Sequence, residues 1–413
     1  MTRITLDDIT HLDDQDTLAA FRARFDIPDG LIYLDGNSLG CLPKATKDRV
    51  NDVVAREWGQ DLIRSWNAND WINAPARIGD KIAKLIGADD GEVIVGDSTS
   101  INVFKCLSAC LQLGTSRTTL LTETGNFPTD AYMTEGLASI APDRITARMV
   151  EPDSVVDSLD EATAALLLTH THYKTGRLRD MKAITTAAHA KGVPVIWDLS
   201  HSCGALPVNL NDCKADFAVG CGYKYLNGGP GAPAFTFVAK RHQEGVFPAL
   251  SGWLGHKQPF AFDDNYTPAA GINRFQCGTP GIIGCAALEV GVDLMLEADM
   301  QALRQKSSAL GDLFIRLVQQ QCGEFGFEPA CPTNADERGS QVSFHHPDGY
   351  PIMQALIARG VIGDFRAPDI LRFGFAPLYI SHRDVWNAVD ILHDVMTSGA
   401  WDQSQFKQRA AVT

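Results

Sequence analysis

Lys224 has the sequence setting of a lysine that reacts. It lies in the stretch 220–231, between the strand-like run 216–220 and a glycine-rich segment, with a tyrosine on either side. A lysine in such surroundings can lose its charge by desolvation and form an imine with an aldehyde. Most lysines are solvated surface residues, but this setting makes Lys224 a candidate nucleophile.

Two further stretches carry complementary chemistry. Asp198 ends the apolar run 193–197, with His201 close behind, which places its carboxylate on the ligand side of an open α/β sheet. The alternative is a carboxylate that caps the following helix. Residues 96–100 read Gly-Asp-Ser-Thr-Ser ahead of a helical pattern, where hydroxyls and free backbone N–H groups attract an anion. They are equally typical of a plain helix cap.

The combination is more specific than its parts. A hydroxyl-rich helix start can hold a phosphate, an aspartate can pair with a pyridinium nitrogen, and a lysine can form an imine; these are the three anchors of pyridoxal 5'-phosphate. An aromatic side chain should also cover the cofactor ring, and Phe127 follows a predicted strand. The sequence therefore predicts pyridoxal phosphate as the cofactor.

The elements that must position these residues alternate between strand and helix from about residue 73. The apolar run 164–169 is typical of a strand buried on both faces. Strands are predicted at 92–95, 118–122, 164–169, 193–197, 216–220 and 234–238, and helices at 76–86, 100–113, 128–140 and 181–191. The alternation indicates a mostly parallel sheet covered by helices on both sides.

The length of 413 residues predicts more than one domain. We expect an N-terminal segment at 1–60 that packs with the small domain or a partner subunit, a large α/β domain at 61–290, and a small α+β domain at 291–413. The C-terminal region has predicted helices at 284–321, 352–359 and 383–396, and strands at 341–344 and 371–375.

The charge and the cysteines restrict the partners. With 36 Lys and Arg against 50 Asp and Glu, the formal net charge is −14, so we expect no nucleic-acid partner. No apolar run approaches the roughly 18 residues of a membrane span, so we expect no membrane association. The start of the chain lacks the pattern of a secretory signal. The ten cysteines include no Cys-x-x-Cys pair, so we expect reduced thiols and no metal site.

Eight motifs along essentially the whole chain resemble those of the kynureninase family. They are IYLDGNSLG (32–40), LIRSW (62–66), TSIN (99–102), NFPTD (126–130), WDLSH (197–201), YKYLNGGPG (223–231), SGWLGH (251–256) and RFGFAPLY (372–379). Several of these motifs are particular to kynureninases rather than shared by all pyridoxal-phosphate enzymes.

The resemblance implies a fold, an assembly and a reaction. The fold is that of the aspartate-aminotransferase type (fold type I), with a mostly parallel, seven-stranded type of sheet in the large domain. The assembly is a cytoplasmic homodimer with its sites at the subunit interface. The implied reaction is hydrolysis of L-kynurenine to anthranilate and L-alanine. It is a hydrolase reaction on a carbon–carbon bond of a ketonic substance. The implied pathways are tryptophan catabolism, the kynurenine pathway and NAD biosynthesis. A further candidate substrate is 3-hydroxy-L-kynurenine.

By matching position, the resemblance also implies a set of cofactor residues. The implied cofactor residues are Thr99, Ser100, Phe127, Asp130, Thr169, Asp198, His201, Tyr223, Lys224, Trp253 and Thr279. Lys224 holds the cofactor, Asp198 pairs with the pyridine nitrogen, and Phe127 stacks on the ring, in an environment that Asp130 supports. Thr99, Ser100, Tyr223 and Trp253 reach the phosphate, as does Thr279 of the partner subunit.

The resemblance implies substrate contacts at Asn37, Ser38, Trp66, Gly278, Thr279 and Arg372. Arg372 clamps the α-carboxylate, a bidentate task suited to a guanidinium. Trp66 and Gly278 fall where the family meets the aryl ring, in the bacterial pattern that prefers kynurenine to its 3-hydroxy derivative. The implied catalytic residues are Lys224, Tyr223 and Asp198, with Tyr223 as the general acid that protonates the β-carbon.

Three other classes fit parts of the pattern. A cysteine desulfurase, a related lyase, shares the fold type, but it places a histidine rather than Phe127 over the ring and needs a loop cysteine, for which Cys331 is the candidate. A non-catalytic binding protein on this scaffold is expected to lose one of Asp198, Lys224 and Arg372. A nicotinamide-dependent dehydrogenase needs a glycine fingerprint after its first strand, which the sequence lacks.

Overall fold

A computed structural model describes residues 3–114 and 116–409. Its largest sheet consists of β1 (Val93–Val95), β2 (Thr119–Glu123), β3 (Thr146–Val150), β4 (Thr163–Thr169), β5 (Val195–Asp198), β6 (Phe217–Gly220) and β7 (Phe235–Val238). The seven strands lie in the order β1-β7-β6-β5-β4-β2-β3. Strand β7 is antiparallel to both neighbours, and the other pairs are parallel. The predicted mostly parallel seven-stranded sheet is confirmed.

The longer helices follow the predicted alternation. They are α1 (Leu6–Asp14), α2 (Ala45–Asp52), α3 (Ala74–Leu85), α4 (Thr99–Cys110), α5 (Pro128–Ile140), α6 (Met181–Ala190), α7 (Ile282–Leu296), α8 (Met300–Cys322), α9 (Gly349–Ala358) and α10 (His382–Ser398). In α3, Ile78 and Ile82 form a buried stripe, as helical periodicity requires. Helix α5 begins with proline at its first position, where the missing N–H costs no helical hydrogen bond.

The apolar runs of the sequence form the centre of the sheet. Every residue of β4 and β5 is buried, because helices cover both faces of a parallel sheet. Thr169 and Asp198 are the last residues of their strands. They lie side by side because they are register partners. The carboxyl edge of the sheet thereby gathers polar side chains that lie far apart in sequence.

A second sheet lies in the C-terminal region. It consists of β8 (Glu328–Pro329), β9 (Gln341–His345), β10 (Asp364–Arg366) and β11 (Ile370–Gly374), in the antiparallel order β8-β9-β11-β10. The N-terminal segment joins this region, because Ile32–Tyr33 pairs in parallel with Val361–Ile362 and Asp35 bridges to Gly374. The segment 35–40 therefore lies beside β11. The domain division at residues 60 and 290 stays a prediction.

Two elements differ from the sequence expectations. Strand β3 was not predicted; it lies at the edge of the sheet, and none of its five residues is buried, so it lacks the continuous apolar pattern of β4. Residues Val53–Asp61 form a π-helix after α2. Among the described residues, no helix has both the length and the apolar composition needed to cross a membrane.

Candidate active site

A cavity of about 220 Å³ lies at the carboxyl ends of β4 and β5. Eight of the predicted cofactor residues line it: Thr99, Ser100, Phe127, Thr169, Asp198, His201, Tyr223 and Lys224. They come from the start of α4, the loop before α5, the ends of β4 and β5, and the loop after β6. The structure therefore brings together side chains that the sequence spreads over more than 120 positions.

Lys224 is almost fully buried in this cavity, and its Nζ lies 3.0 Å from Nε2 of His201. Burial, together with the charge of Lys224, lowers the pKa of His201 well below its ordinary value. A neutral His201 can accept a hydrogen bond from the Lys224 ammonium. The loop that carries Lys224 is packed against the N-terminal segment: Gly40 N donates to the carbonyl of Tyr223 at 2.8 Å.

Gly40 allows the N-terminal segment to lie close against the loop that carries Lys224. A Cβ on Gly40 would lie 2.2 Å from the carbonyl oxygen of Lys224 and 2.4 Å from Oδ1 of Asn227. Any other residue would push the two loops apart. The glycine of the predicted IYLDGNSLG motif therefore holds the N-terminal segment against the lysine loop.

Asp198 and Asp130 form a pair of buried carboxylates near Lys224. Oδ1 of Asp198 accepts a hydrogen bond from Ser200 N at 2.8 Å. Burial raises the pKa of Asp198, while Ser200 and the Lys224 charge oppose that rise. Burial, and next the charge of Asp198, raise the pKa of Asp130 well above its ordinary value. Thr169 Oγ1 lies 3.3 Å from Oδ2 of Asp130, whose Oδ1 has no partner among the described residues.

The start of α4 offers a site for an anion. Ser98 is the N-cap, and its Oγ accepts from Ile101 N at 3.4 Å, so the interpretation of this segment as a helix cap is confirmed. Oγ1 of Thr99, however, is buried and has no hydrogen-bond partner among the described residues. Oγ of Ser100 has only a long contact, 3.5 Å, to Oγ1 of Thr129. A cap that leaves two cavity-lining hydroxyls available can also bind a phosphate.

Phe127 forms a wall of the cavity. Its ring meets that of Tyr173 edge-on, with centroids 5.2 Å apart, and its centroid lies 5.9 Å from Nζ of Lys224. The backbone N–H of Phe127 donates to Oδ1 of Asn126 at 2.7 Å, which positions the ring just before α5. Its side chain remains 40 % exposed, so one face is available for a ring-shaped ligand.

The donor set fits pyridoxal phosphate. The cavity contains a primary amine at Lys224, a buried carboxylate at Asp198 that has no ion-pair partner among residues 3–114 and 116–409, and an orphaned hydroxyl at Thr99 above a helix N-terminus. An aldehyde, a protonated pyridine nitrogen and a phosphate satisfy these three groups in turn.

A second polar group, here called the arginine cluster, consists of Asp35, Ser38, Asp364, Arg366 and Arg372. Arg372 is 2 % exposed. Its Nε donates to Oδ1 of Asp364 at 2.8 Å, and its Nη2 donates to Oγ of Ser38 at 2.8 Å. Nη1 donates to the carbonyl of Tyr173, a cavity residue, at 2.5 Å. The predicted carboxylate clamp is thus tied to a protein carboxylate beside the cavity.

Asn37 lies next to this cluster with unmet hydrogen bonds. It is fully buried, and neither Nδ2 nor Oδ1 has a partner among the described residues. A Cβ on Gly374 would lie 1.9 Å from Oδ1 of Asn37, so the amide packs directly on β11. A buried amide without partners is costly unless a ligand or a water satisfies it.

Four predicted residues lie away from the cavity within one chain. Trp66 meets Trp71 edge-on at 6.0 Å, and Trp253, 39 % exposed, meets Phe260 at 5.5 Å. Gly278 and Thr279 line a separate cavity of about 330 Å³. Within the described residues of one chain, none of these four residues lines the cavity that contains Lys224.

Sequence reasoning missed two residues of the site. Tyr173 lines the cavity and accepts from Arg372, and its signal was its position shortly after the end of β4. Asp364 faces Arg372 directly across two antiparallel strands, a pairing that no sequence spacing indicates. His172 follows the end of β4 and directly precedes Tyr173. It has a structural role: its Nδ1 accepts from Thr175 N at 3.3 Å, and its Nε2 lies 2.9 Å from the carbonyl oxygen of Gly125.

Two solved structures share this fold. A cysteine desulfurase from Escherichia coli aligns with a TM-score of 0.76 at 19% identity, covering 92% of this chain and 99% of its own. A C-DES mutant with glycine covalently linked to its PLP cofactor aligns with a TM-score of 0.78 at 17% identity, covering 90% and 99%. The fold and the site together define a pyridoxal-phosphate-dependent enzyme.

Sequence relatives narrow the class. Residues 303–392 match the family model described as the kynureninase C-terminal domain. The kynureninase of Pseudomonas fluorescens is 49% identical over 99% of this chain and 100% of its own, and that of Burkholderia pseudomallei (strain 1106a) is 48% identical over the same shares. The chain belongs to the kynureninase family.

Proposed function

We propose that the 220 Å³ cavity is the active site in which L-kynurenine is hydrolysed to anthranilate and L-alanine. The observation that carries the proposal is the convergence of Lys224 Nζ, the Asp198 carboxylate and the orphaned Thr99 hydroxyl on one cavity, in a member of the kynureninase family. Bound pyridoxal phosphate supplies a conjugated sink for the negative charge that develops on the substrate carbons.

The chain's residues hold the cofactor in defined ways. Asp198 would accept a hydrogen bond from the protonated pyridine nitrogen, which would supply a cation for this buried carboxylate. Thr99 and Ser100 donate hydroxyls to the phosphate at the N-terminus of α4, where the helix dipole favours a negative charge. Phe127 would cover one ring face, and Ser200 N, which donates to Oδ1 of Asp198, would hold that carboxylate in position.

Lys224 acts as the proton carrier at the α-carbon of the substrate. Its Nζ is already in contact with His201, whose neutral Nε2 can hold the amine in place while it takes up that proton. His201 is thereby a cofactor-pocket residue that orients the amine. The nearly buried position of Lys224 keeps bulk water away from the proton in transit.

Tyr223 is proposed as the general acid at the β-carbon. It lines the cavity, and the Lys224 Nζ lies 5.7 Å from its ring centroid. Burial raises the pKa of Tyr223, so the phenol keeps its proton until a strong base needs it. Addition of water to the side-chain ketone and cleavage of the Cβ–Cγ bond would release anthranilate and leave negative charge at the β-carbon, where the Tyr223 proton would complete the methyl group of alanine.

The substrate carboxylate is proposed to bind Arg372, with Asn37 and Ser38 as polar neighbours. Arg372 offers the planar fork that matches a carboxylate. To reach it, the substrate must compete with Asp364, which accepts from Nε of Arg372 at 2.8 Å in the structure. The unpaired amide of Asn37 is a further group that an arriving polar ligand can satisfy.

A homodimer is proposed to complete the site. Trp66, Trp253, Gly278 and Thr279 are expected at the cofactor or the aryl ring, yet none lines the Lys224 cavity within one chain. A second copy of the chain could bring such residues to that cavity. A cytoplasmic location is proposed because all ten cysteines are free thiols, which a reducing compartment preserves.

A cysteine desulfurase shares the fold but lacks support at the side chains. Cys331, the candidate nucleophile, is 7 % exposed, and burial raises the pKa of its thiol. A nucleophilic cysteine needs exposure and a lowered pKa. Phe127, rather than a histidine, forms the wall of the cavity.

The test is to add L-kynurenine to the purified, cofactor-loaded protein and to follow anthranilate fluorescence. We expect anthranilate from the unmodified protein and none above background from the Lys224→Ala variant. Cofactor absorbance without anthranilate would contradict the proposed substrate. In that case L-cysteine and 3-hydroxy-L-kynurenine identify which related reaction the cavity performs.

A further inference from the structure

The arginine cluster contains a second guanidinium whose position suits a substrate anion better than that of Arg372. Asp364 and Arg366 are alternate residues of β10, so their side chains share one face of the sheet. Arg372 is the register partner of Asp364 on the neighbouring strand and lies on the same face. Two cations therefore flank one carboxylate.

The two arginines differ in how much of their binding capacity the protein uses. The Arg372 side chain is 2 % exposed, and its Nε, Nη1 and Nη2 each donate to a protein acceptor within 2.8 Å. The Arg366 side chain is 34 % exposed. Among the described residues, its one short contact is Nη2 to Oδ2 of Asp364 at 2.8 Å.

The remaining contacts of Arg366 are weak. Its Nη2 lies 3.5 Å from Oγ of Ser38, and its Nη1 lies 3.3 Å from the carbonyl of Phe365. Arg366 nevertheless lies near the cavity, because Ser38 Oγ also accepts from Arg372, which donates to the carbonyl of the cavity residue Tyr173. The guanidinium is thus close to the cavity, partly accessible and only partly paired.

We propose that Arg366 is a substrate-binding residue that contacts the α-carboxylate of the amino-acid substrate together with Arg372. The inference rests on the proposed function, because an amino-acid substrate is what brings a carboxylate to this cluster. Arg366 can meet the anion without first giving up all its protein contacts. Since Asp364 Oδ2 accepts from Arg372 and forms an ion pair with Arg366, either guanidinium can keep that carboxylate paired while the other turns to the ligand.

The proposal is tested by ligand binding to the holoenzyme. The visible absorbance of the bound cofactor is titrated with L-alanine, which has an α-carboxylate, and with L-alaninamide, which does not. We expect Arg366→Met to weaken L-alanine binding by about ten- to a hundred-fold, the range for a lost charge-assisted hydrogen bond. Binding of L-alaninamide should change by less than about threefold, since neither guanidinium pairs with an amide as it does with an anion.

Two further variants complete the design. Arg366→Lys keeps the charge but not the planar fork, so its L-alanine affinity should lie between those of Arg366→Met and the unmodified enzyme. If Arg366→Met fails to fold, the L-alanine and L-alaninamide affinities of Arg366→Lys are compared with those of the unmodified enzyme instead. Arg359→Met removes an arginine that pairs with Asp394 at the surface, and it should bind both ligands as the unmodified enzyme does. An L-alanine affinity of Arg366→Met within threefold of normal overturns the proposal. Equal losses for both ligands also overturn it, because they indicate a structural role.

The outcome is separable from that of the proposed function. Anthranilate release by the unmodified enzyme tests the reaction and does not involve Arg366. If the unmodified enzyme releases anthranilate and Arg366→Met binds L-alanine normally, the reaction stands and the role of Arg366 is wrong.

Discussion

Asp130 with Asp198 in the cofactor cavity, and Asp35 with Asp364 in the arginine cluster, are two carboxylate pairs whose neighbours act differently on them. In the cofactor cavity, Asp130 and Asp198 have one cation nearby, Lys224, and burial raises the pKa of both. In the arginine cluster, burial also acts on Asp364, but Arg372 and Arg366 outweigh it and hold its pKa below the ordinary value.

The difference indicates which pair waits for a ligand. Arg372 and Arg366 neutralise Asp364, so its charged form needs no ligand. Asp198 has no bonded cation, so its charged form needs a partner that the chain does not supply. A protonated pyridine nitrogen is such a partner. We therefore expect changes in the cofactor cavity to act on catalysis, and changes in the arginine cluster to act on stability and substrate binding.

The largest effect is expected for Tyr223→Phe. Loss of the phenol removes the proposed proton donor to the β-carbon, and general acids contribute about 10²–10⁴-fold. We expect kcat for anthranilate release to fall by that factor, while the visible absorbance of the bound cofactor is retained. Unchanged kcat would show that another group delivers the proton.

Asp198→Asn is expected to reduce kcat by on the order of 10²–10³-fold, the usual range for one electrostatic partner in a water-excluded site. The amide has the same shape but cannot hold the ring nitrogen in its charged form. The control is Asp130→Asn, which does not touch that nitrogen and should cost less. Equal losses in the two variants would remove the distinction between the carboxylates.

Asp364→Asn tests the arginine cluster through stability. It leaves Arg372 and Arg366 without their shared counter-ion, and removal of one partner from a buried ion pair costs about 3–5 kcal/mol. Urea unfolding of the holoenzyme measures the difference. Asp394→Asn, which breaks the surface pair with Arg359, is the matched control and should cost about 1 kcal/mol or less.

The last prediction concerns Asp35 and the pH dependence of stability, a gradual effect that is spread over several pH units. Burial, and next the charge of Asp364, raise its pKa to about 7. The folded state therefore binds a proton that the unfolded state has released above about pH 4, so Asp35 makes stability fall as pH rises from about 4 to about 7.

The measurement for Asp35 is a difference between two proteins. Over that pH range, the free energy of unfolding should fall more steeply with pH in the unmodified protein than in Asp35→Asn, by up to about 1.4 kcal/mol per pH unit. The raised pKa values of Asp130 and Asp198 affect both proteins equally and cancel. Parallel pH profiles would mean that Asp35 is ionised throughout the range.

Much of the fold could be predicted because burial leaves a pattern in the sequence. The apolar run of β4 and the stripe of α3 correspond to elements whose core positions are fully buried. Strand β3 could not be predicted in the same way, since an edge strand with no buried residue carries no such pattern. Its place is decided by pairing with β2.

The cofactor cavity was also largely predictable. Lys224, Asp198 and the segment around Thr99 each follow or precede a recognisable strand or helix, and parallel strands direct their carboxyl ends to one edge. Tyr173 and Asp364 could not be found by this route. Both roles depend on contacts with Arg372: Tyr173 lies far from it along the chain, and Asp364 faces it only because the two neighbouring strands pair in that register.

The sequence by itself determined the alternating strands and helices, the residue types of the cofactor cavity and the kynureninase family, because periodicity and motifs are local properties. Only the tertiary structure decided the charge states and partners of the buried groups. The contact of Arg372 with Ser38, the raised pKa of Asp198 and the accessibility of Arg366 depend on burial and on distances between segments that pack together only in the fold. Electrostatic energies follow those distances and the local dielectric, neither of which is encoded in residue spacing.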